Sequence, residues 1–246
     1  MTLSVDGIAY EAAGSGDPPL VFVHGWCCDR TYFAPQFRYF ASRHTVVALD
    51  LRGHGESSGT ASTTEAFADN VLAVTAALPA PVVVGHSMGA LVALACAARR
   101  GAVRAAVLVE PAPILDGRGK TYFARSLPEV AADHDGSWRR RFAARLFRPT
   151  DSVCRDETIA GMSAAPLATA VAGWQAIVDF DAAAVLPHVH VPVLVISAGE
   201  PEAGLAERIT DITLGRTVGA GHFVQLEVPD QVNAMIERFL TLLQDR

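Results

Sequence analysis

Short apolar runs recur along this chain and are separated by segments of helical spacing. Leu20-Val21-Phe22-Val23, Thr45-Val46-Val47-Ala48-Leu49, Val82-Val83-Val84, Ala105-Ala106-Val107-Leu108-Val109 and Val191-Pro192-Val193-Leu194-Val195-Ile196-Ser197 are near-continuously apolar and do not alternate with polar residues. Strands of that pattern are covered on both faces. Ahead of them, residues 3–12 read as an edge hairpin turning at Asp6-Gly7, followed by a loop at 14–19. Phe33, Phe37 and Phe40 give residues 31–42 a helical period. Thr63 to Leu78 reads as a helix with Ser62 or Thr63 as N-cap and Glu65 in its first turn. Val232, Met235, Ile236, Phe239, Leu240 and Leu243 make 229–243 an amphipathic helix, and Arg216-Thr217-Val218 stands where a last strand is expected. Buried strands alternating with helices predict an α/β fold with a mostly parallel twisted sheet, flanked by helices on both faces.

The rhythm breaks between Ile114 and His188, where charged helical stretches (138–142 and 145–148) and several prolines occur without a convincing strand. The expectation is a helical cap, residues 114–186, inserted into a core formed by 1–113 and 187–246 and laid over the carboxyl edge of the sheet. Tyr122, Phe123, Trp138, Phe142, Phe147, Met162 and Trp174 are available for an apolar lid, although packing within the cap is the commoner role for such residues. The basic cluster 139–148 reads as a solvated helix face in preference to a phosphate or acidic-substrate contact.

Composition narrows the class. At 246 residues, 50% hydrophobic and 19% charged, the chain suits a compact α/β enzyme and can bury a substantial core. A net charge of −6 argues against a nucleic-acid partner. No basic and apolar leader follows Met1, and no apolar run reaches the roughly 18 residues of a membrane span. Cys27, Cys28, Cys96 and Cys154 show neither ligand spacing nor a disulfide framework, so reduced thiols and a cytoplasmic location are expected, with no metal or organic cofactor. A monomer or homodimer acting on a small molecule is the expected working form.

The chemistry centres on Gly85-His86-Ser87-Met88-Gly89, placed between an apolar strand and an Ala/Leu-rich helical segment. A tight strand-to-helix turn exposes the Ser87 hydroxyl and aims a helix N-terminus at charge developing beside it. A serine hydroxyl needs a positioned base. His222, in Gly219-Ala220-Gly221-His222-Phe223, falls in the loop before the last helix, which a parallel sheet brings to the same edge. His24 is suited to bracing loop backbone, His54 lies in a Gly-rich loop, and His86 flanks Ser87 with its side chain turned from the chemistry. His44, His134, His188 and His190 carry no motif.

His24-Gly25-Trp26, Asp50-x-Arg52-Gly53-His54-Gly55-x-Ser57, Gly85-His86-Ser87-Met88-Gly89 and Gly221-His222-Phe223 together resemble the α/β-hydrolase superfamily over residues 3–113 and 187–243. The resemblance implies a triad of Ser87, His222 and an acid, with an oxyanion hole made by the backbone N–H groups of Trp26 and Met88. Two positions are open for the acid. One follows strand 191–197, where Gly199-Glu200-Pro201-Glu202 puts Glu202 in the slot; the other is Glu110, at the end of strand 105–109. Glu110 is favoured and Glu202 stays as the alternative. Only 20 positions separate Glu202 from His222, a cramped span for a helix and a strand. Ile196–Pro201 also resembles certain haloalkane dehalogenases, which carry the acid after the earlier strand, and zearalenone-type lactone hydrolases place a glutamate there.

Dehalogenases of that kind attack with an aspartate, and Ser87 stands at the corresponding position here. The expected activity is therefore hydrolysis of a carboxylic ester, lactone or related acyl substrate through an acyl-enzyme. A C–C bond hydrolase or a cofactor-free oxygenase on the same fold, and a ligand-binding protein with vestigial turnover, are the competing readings.

Overall fold

The computed structural model describes residues 2–149 and 154–244, so cap positions 150–153 lie outside the described residues. Its strands are β1 (Leu3–Val5), β2 (Ile8–Ala13), β3 (Leu20–Val23), β4 (Val46–Leu49), β5 (Val82–His86), β6 (Ala105–Val109), β7 (Val193–Ser197) and β8 (Ile212–Arg216). They form one sheet in the order β1-β2-β4-β3-β5-β6-β7-β8. β1 and β2 make the expected hairpin, with φ of 49° at Asp6 and 77° at Gly7, the paired positive dihedrals that match the strand twist. β2 runs antiparallel to β4, and every later pairing is parallel.

Each parallel strand divides its side chains between two cores. Leu20, Phe22, Val82, Val84, Ala105, Val107, Leu194 and Ile196 face one way, toward α1 (Ala34–Phe40) and a long C-terminal helix. Val21, Val23, Val83, Ala106, Leu108 and Val195 face the other, toward α2 (Thr64–Val74) and α3 (Met88–Ala97). Burial on both faces is why these strands read as continuous apolar runs.

Helix boundaries follow local chemistry. The Thr63 side chain accepts the Ala66 N–H at 3.1 Å, as its N-cap position predicts. α2 stops at Val74, short of Leu78: the chain tightens into three-residue turns, with Leu78 N–H donating to Thr75 O at 2.8 Å. The last strand is Ile212–Arg216, ahead of the expected Arg216–Val218. It is a sheet edge, with Leu214 48% exposed, so it lacks the apolar signature of its neighbours.

Between β6 and β7 the described chain holds helices and no strand: α4 (Gly117–Ala131), α5 (Ser137–Ala144), α6 (Arg155–Ala164), α7 (Leu167–Asp179) and α8 (Ala182–Val185). The helical expectation fails at 145–148, which leave α5 through a turn. The solvated-face reading fails at Arg139, which is buried beside Asp133, Nε to Oδ2 at 3.5 Å, whereas Arg140, Arg141, Arg145 and Arg148 are exposed. Asp133 also accepts the Trp138 and Arg139 N–H groups at 2.8 and 3.0 Å, capping α5. After β7 come α9 (Leu205–Arg208), α10 (Val224–Glu227) and α11 (Pro229–Gln244). Among the described residues no single helix is long and apolar enough to cross a membrane.

Candidate active site

Ser87 sits where β5 turns into α3, at φ 53° and ψ −116°, a backbone conformation that non-glycine residues rarely adopt. The turn is this tight because its glycines allow contacts that a side chain would block. A Cβ on Gly85 would lie 2.0 Å from Gly89 O, and one on Gly89 would lie 2.3 Å from Val23 O. The strained serine is over-determined by its surroundings. Its N–H donates to Val109 O at 3.0 Å, and its carbonyl accepts from Ala90 and Ala112 at 3.0 and 3.2 Å.

Against this turn lies the loop after β3. A Cβ on Gly25 would stand 3.2 Å from Ser87 Cβ, so the backbone leading into Trp26 passes directly beside the serine. Among the described residues neither the Trp26 nor the Met88 N–H has an acceptor in the protein. For Met88 the reason is its place at the first position of α3, where a helix leaves its N–H groups without intrahelical partners. His24 braces the loop as its position suggests: Nδ1 donates to Gly25 O at 2.8 Å, and Nε2 accepts the Leu51 N–H at 3.0 Å.

His222 is held from three directions. Its Nδ1 lies 3.3 Å from Glu110 Oε2, its N–H donates to Leu146 O at 2.9 Å, and its carbonyl accepts from His86 Nε2 at 3.0 Å. Glu110, at φ 44°, is itself fixed by donating its N–H to Ile196 O at 2.8 Å and by accepting the Ala198 N–H on Oε1. Glu202 is elsewhere engaged. Its carboxylate accepts the Ile114 N–H at 2.9 Å together with those of Leu115 and Asp116, at the start of the cap. The structure therefore brings Glu110 to His222, while Glu202 staples the cap to the loop after β7. The span between Glu202 and His222 does hold both a helix, α9, and a strand, β8, so the expectation that it is too cramped for them fails.

Two supporting residues were not legible as such in the sequence. Glu227 accepts the N–H groups of Gly221 and Phe223, each at 2.9 Å, and so brackets His222. The signal for it is a carboxylate one helical turn beyond Phe223. His86, expected to turn its side chain from the chemistry, lines the same cavity as Ser87 and carries the His222 backbone. A carbonyl only accepts, so the bonding proton of His86 is on Nε2. Burial and the nearby His222 ring, 4.8 Å away, hold the pKa of His86 well below the ordinary histidine value. Burial likewise lowers His24 to about 4 and His54 to about 3. All three rings are neutral parts of the scaffold at pH 7.

Ser87 and His222 line one cavity of about 270 Å³, enclosed by Trp26, Phe123, Phe142, Met162, Trp174 and Ile177. Among the described residues no Asp, Glu, Lys or Arg lines it. Four of the seven cap residues available for a lid, Phe123, Phe142, Met162 and Trp174, line this cavity. Trp26 locks core to cap: Nε1 donates to Ala170 O at 2.7 Å, and its ring meets Trp174 edge-on at 4.7 Å. Neither the Ser87 hydroxyl nor His222 Nε2 has a hydrogen-bond partner among the described residues. Among the described residues no three His, Cys, Asp or Glu side chains group so as to hold a metal ion.

A family model described as "Alpha/beta hydrolase family" matches residues 20–235. A pimeloyl-[acyl-carrier protein] methyl ester esterase from Xylella fastidiosa is 38% identical over 103 residues, 42% of this chain and 40% of that protein. One from Stenotrophomonas maltophilia is 38% identical over 142 residues, 54% of this chain and 53% of that protein. The chain thus spans about half the length, or less, of these curated relatives. Among solved structures, an esterase from Thermogutta terrifontis aligns with a TM-score of 0.84 at 24% identity, covering 98% of this chain and 97% of that one. The enol-lactonase from Burkholderia xenovorans LB400 aligns with a TM-score of 0.84 at 20% identity, covering 98% and 100%. At these identities the likeness is one of fold.

Proposed function

Because the chain belongs to the alpha/beta hydrolase family, we propose that it is a serine hydrolase of carboxylic esters or lactones, with Ser87 as nucleophile, His222 as base and Glu110 as the acid. The observation that carries this reading is the apolar cavity that Ser87 and His222 both line, with Glu110 3.3 Å from His222 Nδ1 on the side away from the serine's partner nitrogen. In the first half-reaction Ser87 Oγ attacks the carbonyl carbon while Nε2 of His222 takes its proton. The tetrahedral oxyanion is received by the N–H groups of Trp26 and Met88. Donors already in place stabilise it without reorganising, worth about 3–4 kcal/mol for one such donor in measured cases. His222 then gives its proton to the departing alkoxide, leaving an acyl-Ser87. Water, deprotonated by His222, attacks the acyl-enzyme and frees the acid. Glu110 keeps the imidazole oriented and stabilises its charged form.

The lining selects the substrate. With no Asp, Glu, Lys or Arg among its described lining residues, the cavity favours an uncharged apolar acyl group. A cavity of ~150 Å³ holds benzene, so one nearly twice that size suits an acyl portion on the order of ten heavy atoms. Methyl esters belong in the test set because the curated relatives are named for one. Residues 114–186 serve as the cap and 1–113 with 187–246 as the catalytic core. Cys27, Cys28 and Cys96, buried as free thiols, favour a reducing, cytoplasmic setting.

A panel of methyl and p-nitrophenyl esters from two to twelve acyl carbons, with lactones, tests this. Steady turnover peaking at middle chain lengths, fluorophosphonate labelling of Ser87, and loss of both in Ser87→Ala are expected. Turnover that survives Ser87→Ala would transfer the reading to proton-abstraction chemistry, as in a cofactor-free oxygenase. Silence on every substrate without labelling would sink it.

A further inference from the structure

Of the three contacts that hold His222, two come from the core and one from the cap. The N–H of His222 donates to Leu146 O at 2.9 Å, and Leu146 lies just beyond the end of α5. Carbonyls at and beyond a helix end lack intrahelical donors and need partners from elsewhere. Beside this bond, Phe147 stacks on Phe223 with ring centroids 5.1 Å apart and planes 17° from parallel. Phe223 is the residue after the base, is 1% exposed, and also meets His86 at 5.1 Å. The cap thus touches the base loop twice in succession, through a backbone hydrogen bond and through a stacked ring.

We propose that this latch makes the cap part of the mounting of the base, with Phe147 as a positioning residue, so that the site is complete only when the cap is seated. This rests on His222 being the base. The physical reason is the small number of restraints on the imidazole. Its ring is aimed by Glu110, its backbone is fixed by Leu146 O on one side and His86 on the other, and Glu227 holds only the flanking N–H groups of Gly221 and Phe223. If the cap lifts to admit substrate, the N–H loses its acceptor and Phe223 loses its stacking partner on the same side. The imidazole can then swing about the remaining contacts. Seating the cap over a bound substrate restores the geometry, and this couples closure of the apolar lid to competence of the base. Misplacement of a reacting group by about 1 Å can cost ~100-fold in rate.

Phe147 is the residue to change because it does not line the cavity, whereas Leu146 does. Phe147→Ala is expected to lower kcat on a methyl ester by roughly 10- to 100-fold with KM held within about twofold. The p-nitrophenyl ester of the same acid should lose less in kcat/KM, because its leaving group departs without the proton that His222 must deliver to an alkoxide. Phe147→Tyr, which keeps the stacked ring, should retain most of the wild-type rate. Independently of activity, hydrogen exchange of the peptide containing residues 219–226 should accelerate in Phe147→Ala while β5 stays protected. Equal proportional loss on both esters, a rise in KM with kcat held, or unchanged exchange at 219–226 would overturn the latch. If the wild type itself hydrolyses nothing and Ser87 is not labelled, the hydrolase reading fails, and the exchange experiment still decides the cap contact.

Discussion

Glu110 and Glu202 both stand at the carboxyl edge of the sheet, and their oxygens are committed to different partners. One oxygen of Glu110 is held by the Ala198 N–H and the other lies 3.3 Å from His222 Nδ1. Glu202 accepts three successive backbone N–H groups, from Ile114 to Asp116. Glu110→Gln should lower kcat by roughly 10³- to 10⁴-fold, as replacement of a triad acid by its amide does. Glu202→Gln should leave kcat within about threefold and cost about 1–2 kcal/mol of stability, because an amide nitrogen turned toward N–H donors leaves them unpaired. Steady-state kinetics beside urea midpoints read both variants, and the opposite pattern would reassign the acid. Ser87 and His222 were legible because each is marked by its immediate neighbours in sequence. Which glutamate reaches His222 was not, because a glutamate at either slot satisfies the pattern and only the direction of the side chain separates them.

At the scale of the element, the strand-to-helix turn is set by backbone contacts that tolerate no Cβ. In Gly89→Ala the new methyl would meet Val23 O at 2.3 Å and His24 O at 2.5 Å, both backbone atoms of the central strand and its loop. The expected cost is about 2–3 kcal/mol or more, as for overpacking a tight core. Gly117→Ala is the control: nothing lies within 4 Å of its Cβ and it opens α4, so stability should hold or rise by about 0.5 kcal/mol. Comparable losses in both variants, measured by thermal or urea unfolding, would deny that close approach sets the turn. The same scale shows where periodicity misleads. Covered strands announce themselves, whereas the edge strand β8, with Leu214 outward and Gly215 beside it, carries no such run. Arg139 looked solvated in a row of arginines because nothing local reveals that Asp133 folds back to meet it.

At the scale of the whole molecule, three neutral histidines make the fold sensitive to acid. His24, His54 and His86 are buried with pKa values lowered by desolvation, to about 4 and about 3 for the first two. In the unfolded chain each takes up a proton near the ordinary value of 6.5. Below that pH the unfolded state binds more protons than the native one, so stability rises with pH across this window. The contribution is whole above about pH 6.5 and is lost as pH falls toward the folded values. Urea midpoints at fixed pH should decline from pH 7 to pH 4, with a linked uptake approaching ~3 protons on unfolding. A midpoint that does not move over that interval would show that these rings are not buried neutral.

The sequence by itself determined the sheet of doubly covered strands, the nucleophile turn, the histidine loop and the presence of a helical insertion. Each is encoded within a few neighbouring residues: apolar runs for strands buried on both faces, glycines where backbones touch, and a cap residue ahead of a helix. What only the tertiary structure decided are relations between distant segments. Those are which glutamate reaches His222, which cap side chains face the cavity, and that Leu146, Phe147, His86 and Glu227 contact His222 and the residues beside it. Such contacts join residues 76 to 136 positions apart, or depend on how a loop folds back over a helix end. No local pattern marks them, because a backbone carbonyl or an apolar ring reads the same whether it meets solvent, the core or the base.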